Sequence, residues 1–363
     1  MSNLSKSDEK NQNESDLAIN KNEESEKESI EKDAIPHFFP TFRVKRNLYP
    51  IPILFAVFLA GILAYLTYIV AGIQVDGGYI PEDEFGALAG LLNGIIFTVM
   101  AGVSAFVIIY LIKKKGINVL KYIFGFSFAF LSYFLTIFFG EVILALSFNN
   151  LPGTNFYIVL SNTIYITMLI GTGILTILMI YKYFTSTSLY LKNFVVLYIG
   201  LMTGAQLGVI MPWWTSLAIL IGLSLWDMFA VLYKKGPIRQ MVDLASEDIE
   251  ELAEEKDLTE EEIQEKIESG ELEYDTSKLE IGIGDIAFYS MLTSTALIFS
   301  NTLFNLPVIQ SIFVMIFTAI AIIFGTGITI AGLKRNKLLP GLPISIFLGI
   351  GTMLLSIFVF SLI

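Results

Sequence analysis

Apolar residues run along this chain in blocks too long for one face of a soluble helix. Nine stretches, roughly 51–73, 85–112, 120–148, 155–181, 191–211, 213–233, 281–304, 308–332 and 341–362, are mostly apolar. Each is about as long as the twenty residues that carry an α-helix across a bilayer. The breaks between them are short and polar, and the tightest is Met211-Pro212-Trp213, where Trp213 and Trp214 suit a membrane–water interface. The pattern predicts an all-α polytopic membrane protein with nine transmembrane helices. Its parts are a polar tail at 1–45, helices one to six over 46–233, an acidic loop at 234–279 and helices seven to nine over 280–363. The tail is rich in Glu, Lys, Ser and Asn and buries too little apolar surface to offset its ordering entropy, so it reads as disordered. It has no apolar core of the kind a signal peptide carries.

Charge adds direction to this pattern. Arg43, Lys45 and Arg46 precede the first span, and Lys113, Lys114, Lys115 and Lys121 lie between the second and third. Lys182 and Lys192 separate the fourth and fifth; Lys234, Lys235, Arg239, Lys256, Lys266 and Lys278 follow the sixth; Lys334, Arg335 and Lys337 follow the eighth. With the lysines of the tail these make up all 23 basic residues. All fall on one side if there are nine spans, and the positive-inside rule makes that side cytoplasmic. The tail and the 234–279 loop are then cytoplasmic and Ile363 exterior, in a multi-pass protein of the cell membrane. Within the loop, residues 246–275 hold fifteen acidic residues against two lysines. Thr259 with Glu262 and a later Gly270 mark a capped helix there, so two short solvated helices are expected near 247–256 and 260–269.

Composition removes several chemistries. Hydrophobic residues make up 54% of the chain and charged ones 16%, with a mean hydropathy of +0.68; soluble domains carry about 25% charged residues. There is no Cys, and the single His, His37, lies in the tail. A thiolate nucleophile, a thiolate metal site, an HExxH zinc site and a Ser–His dyad within the spans are therefore all excluded. No metal or cofactor is expected, and no basic patch points to nucleic acid.

Three acidic residues lie inside spans, Glu141, Asp227 and Asp285, with no Lys, Arg or His in a span interior to pair with them. A charge at mid-bilayer costs several kcal/mol, so each is a candidate functional group. Asp227 stands seven residues before Lys234, and Asp285 seven after Lys278. At 1.5 Å per residue both lie roughly 10 Å inside the same boundary, on consecutive antiparallel spans. At a separation of ~4 Å their mutual repulsion is about 4 kcal/mol at an effective dielectric near 20. Such a pair holds one proton between its two members, the arrangement that aspartic proteolysis uses. Glu141, nearer the outer end of the third span, reads as structural.

Span seven opens Lys278-Leu279-Glu280-Ile281-Gly282-Ile283-Gly284-Asp285-Ile286-Ala287-Phe288-Tyr289-Ser290. This closely resembles the GxGD segment of the presenilin and signal peptide peptidase family of intramembrane aspartyl proteases. Trp226-Asp227 resembles that family's Tyr-Asp motif in span six, with Trp for Tyr. Pro340-Gly341-Leu342-Pro343 resembles its Pro-Ala-Leu-Pro motif at span nine, with Gly for Ala. The resemblance covers about 50–363. It implies an intramembrane endopeptidase with Asp227 and Asp285 as the catalytic pair and a substrate site shaped by Pro340, Gly341, Leu342 and Pro343. Signal peptide peptidases carry the inverted orientation, so the basic-residue pattern places the chain on the presenilin side. The expected partners are the lipid bilayer and single-span transmembrane proteins or peptides as substrates, with accessory subunits left open.

Leu279, Ile281 and Ile283 alternate with Glu280, Gly282 and Gly284, a strand-like period. This segment is expected to take a substrate as an added strand, with Gly282, Ile283 and Gly284 at the contact and Pro340 and Pro343 keeping nearby carbonyls free. The alternative is a proton- or cation-coupled transporter using the same carboxylates. It calls for broken helices in both halves, and spans one to five show no second Gly-rich break. Gly200, Gly204 and Gly208, and likewise Gly325, Gly327 and Gly332, read as close-packing faces.

Overall fold

A computed structural model describes residues 40–362 except 76, 117–118, 150, 187, 234–235, 238–239, 241–277 and 334–339. The helices expected at 247–256 and 260–269 lie outside the described residues, as does the tail before residue 40. Among the described residues, nine helices are long and apolar enough to cross a membrane. They are α1 (Pro50–Ala64, continuing as a π-turn over Tyr65–Val70), α2 (Ala87–Lys115), α3 (Val119–Phe148), α4 (Asn155–Thr185), α5 (Leu189–Ile210), α6 (Trp213–Leu232), α7 (Ile283–Thr302), α8 (Val308–Leu333) and α9 (Leu342–Ser361). Two short strands, β1 (Thr41–Lys45) and β2 (Lys278–Gly282), form an antiparallel ribbon.

The least apolar helix is the innermost. Span seven, α7, carries Ser290, Thr293, Ser294, Thr295 and Ser300, all buried, and packs most extensively against α5 and then α1 and α8. Lipid is as apolar as Leu, so helix association in a bilayer relies on close backbone approach at small residues. That is how the α5 glycines act. A Cβ at Gly204 would collide with the carbonyl oxygen of Ala287, one at Gly208 would lie 2.5 Å from Ser294 Cβ, and one at Gly200 2.9 Å from Ile286 Cγ2. On α8, Gly325 meets the Ser345 backbone of α9 and Gly327 the Tyr49 hydroxyl. The outer helices α2, α3 and α4 keep most of their side chains on the lipid-facing surface.

One expectation changes. Residues 41–45, assigned to the disordered tail, form β1, tied to β2 by an Arg43–Glu280 ion pair of 2.7 Å. Trp213 is buried against Phe299 and Phe304, at ring distances of 5.4 and 5.8 Å, while Trp214 is exposed. The turn at Met211 and Pro212 is as expected. Beyond it, Glu82 from the one-turn helix Glu82–Phe85 accepts the backbone N–H groups of Trp214 (3.1 Å) and Thr215, capping the first turn of α6.

Candidate active site

Asp285 is the third residue of α7. Its Oδ2 accepts the backbone N–H of Gly282, 3.3 Å away, at the point where β2 gives way to helix. The first turn of a helix has unsatisfied N–H groups, and a carboxylate at this position answers one of them. Asp227 lies in the second half of α6, and its Oδ2 accepts the backbone N–H of Leu342 at 3.3 Å. Gly341 also faces Asp285: a Cβ there would sit 3.2 Å from Oδ2 and 3.5 Å from Oδ1. Both carboxylates therefore converge on the Gly341–Leu342 dipeptide. The glycine leaves the room in which the two approach.

Behind this dipeptide is a buried hydroxyl network absent from the sequence expectations. The Tyr289 hydroxyl, one turn beyond Asp285, is 3.3 Å from the Gly341 carbonyl oxygen and 3.2 Å from the Ser345 hydroxyl. Thr326 of α8 stands 3.0 Å from Ser345. This fixes the turn that carries the Leu342 N–H to Asp227. It also corrects one expectation: Pro343 does not disrupt the start of span nine. It sits in the first turn of α9, where proline is well tolerated, and the Gly341 carbonyl is engaged by Tyr289.

The remaining candidates fall into place around the pair. Pro340, Leu342 and Pro343 are buried. Gly282 is the last residue of β2, whereas Ile283 and Gly284 are already helical, so the strand is two residues shorter than the alternation suggested. The Ile283 N–H is bonded to the Pro40 carbonyl, 3.3 Å away. Gly284 has room on its Cβ side, where the Phe288 ring begins at 3.8 Å. Trp226, beside Asp227, packs its ring on Gly102 of α2 and edge-on against Phe106. Glu141 lies on α3, apart from the pair, on the side of Tyr165 of α4. Among the described residues, no three His, Asp or Glu side chains gather as a metal site.

The presenilin family model matches residues 82–255, a range that contains Asp227. Over this stretch, just under half of the chain, the sequence is similar to the presenilin family. Presenilin-B of Dictyostelium discoideum is 34% identical over 145 residues, 39% of this chain, and the match spans only 25% of that presenilin's length. A presenilin-like protein of Arabidopsis thaliana is 23% identical over 331 residues, covering 74% of this chain and 77% of the relative. Two structures of a presenilin family intramembrane aspartate protease share the fold. One, in a P2 space group, has a TM-score of 0.50 at 15% identity, covering 85% of this chain and 96% of its own. The other, in C222, has 0.51 at 16%, covering 85% and 97%. The family model's match ends before Asp285 and Gly341.

Proposed function

We propose that this integral, multi-pass membrane protein is an intramembrane aspartyl endopeptidase that hydrolyses peptide bonds of transmembrane substrates, with Asp227 and Asp285 as its two carboxyls. The observation that carries the reading is the convergence of both on Gly341–Leu342, from two different helices. Two carboxyls held this way share one proton. The ionised member takes a proton from water as the water attacks the peptide carbonyl, and the neutral member donates to the developing oxyanion. When the tetrahedral intermediate collapses, a proton passes to the leaving nitrogen and the pair returns to its singly protonated form.

A helical substrate hides its carbonyls in its own hydrogen bonds, and unwinding in lipid leaves polar groups that cost several kcal/mol each unless they find partners. β1 already occupies one edge of β2. The opposite edge runs past Glu280 and Gly282 toward Asp285, and there the substrate adds as a strand, with Gly282, Ile283 and Gly284 beside it and Pro340 to Pro343 opposite. The tail and the 234–279 loop are cytoplasmic in this reading and Ile363 exterior, as the basic residues require.

The test is cleavage of a single-span substrate in proteoliposomes. Asp227→Ala and Asp285→Ala should each abolish it, and the double variant should be no worse, because the two act as one unit. Substantial cleavage by either single variant refutes the assignment; proton flux without cleavage would favour a transporter instead.

A further inference from the structure

A five-residue two-stranded ribbon is marginal by itself, yet β2 delivers the N–H that binds Asp285. What holds the ribbon is a side chain on another helix. Asn193, in the second turn of α5, accepts the Arg43 backbone N–H through Oδ1 (2.8 Å) and donates from Nδ2 to the Arg43 carbonyl (2.7 Å). The carboxamide thus closes the outer edge of β1 as a third strand would. Main-chain groups alternate sides along an antiparallel strand. With Arg43 turned to Asn193, Phe42 and Val44 must point their N–H and C=O groups at Ile281 and Leu279, their partners in register. The same alternation turns the Gly282 N–H away from β1, toward Asp285, where it is found.

Side chains agree with that register. Glu280 is gripped at both oxygens, by Arg43 Nη2 at 2.7 Å and Thr41 Oγ1 at 3.1 Å. Phe42, Val44, Leu279 and Ile281 line the face that packs on the core. A slip by one residue would exchange the two faces and turn the Gly282 N–H away from Asp285.

We infer that Asn193 is a positioning residue for the reaction, acting through the Arg43 backbone and β2 to hold the Gly282 donor on Asp285. This rests on the protease reading, but half of its test does not. Asn193→Leu keeps the branched four-atom shape of the side chain, at a somewhat larger volume, and removes both bonds. In the full-length protein, backbone amide exchange at Leu279 and Ile281 should accelerate about tenfold, and kcat should fall about tenfold with KM within about twofold, the pattern of a lost transition-state contact. Asn193→Asp, which keeps the acceptor and loses the donor, should lie between. A merely structural role would lower the unfolding temperature and the amount of folded enzyme, leaving kcat per folded molecule unchanged. Unchanged exchange at Leu279 and Ile281, or faster exchange with unchanged kcat, overturns the inference. No cleavage by the unaltered protein overturns the protease reading and this assignment with it. That outcome differs from failure of the clamp alone, in which both proteins cleave equally.

Discussion

The two helices that carry the aspartates are held in opposite ways. In α7, 78% of the central window is buried, against 39% in α6. α7 is packed by α5, α1 and α8, while α6 rests mainly on the lipid-facing α2 and on the start of α9, and touches α7 little. Asp285 is therefore fixed by a helix enclosed on all sides, and Asp227 by a helix near the edge of the bundle. The pair is assembled through a third element, the Gly341–Leu342 turn, which supplies an N–H donor to Asp227 and the space beside Asp285. Direct packing of α6 on α7 contributes little to that geometry, so the turn sets it.

The contrast breaks most visibly at the helix-packing glycines. At Gly204 a Cβ meets backbone, the Ala287 carbonyl oxygen, which cannot rotate away; at Gly222 of α6 it meets the Thr98 hydroxyl, which can. Gly204→Val should cost about 3 kcal/mol, the upper range for overpacking, and Gly222→Ala about 1 kcal/mol or less. Thermal unfolding in detergent checks the order, and equal losses would contradict the enclosed-versus-peripheral account. At the turn itself, Gly341→Ala places a methyl 3.2 Å from Asp285 Oδ2, a clash that a few tenths of an ångström relieves. Cleavage should fall by about threefold or less, whereas Gly341→Val should cost more than about tenfold, roughly 1.4 kcal/mol of barrier. The smallest effect is expected at the outer end of α6. Glu82→Ala removes a helix N-cap, worth about 1 kcal/mol, and should lower the unfolding temperature by a few degrees with kcat nearly unchanged.

Much of this was legible in the chain because the bilayer imposes a length on apolar runs. The nine spans followed from that length, and the three intramembrane acids stood out because nothing nearby could pair with them. β1 escaped notice because its five residues, Thr41–Lys45, adjoin a polar segment and pair with a strand more than 200 residues away; local composition carries no record of so distant a partner. The Tyr289–Ser345–Thr326 network was hidden for a different reason. A hydroxyl in an apolar helix can satisfy itself on the carbonyl one turn back, as Thr326 does on Ile322 at 2.9 Å, so Ser and Thr in a span give no sign of a longer-range bond. The pairing of Asp227 with Asp285 was readable as matched depth, but the role of Gly341 as the meeting point was not, since it depends on how span nine enters.

The central claim is that two carboxyls from unlike helices act as one singly protonated unit, and the pH dependence of kcat/KM on a reconstituted transmembrane substrate tests it most directly. A shared proton predicts a bell. Activity should fall on the acid side as the second carboxyl is protonated and the base is lost. On the alkaline side it should fall again as the shared proton leaves and the donor is lost. A profile with a single limb, or one flat across the range in which the folded protein is stable, would contradict the account.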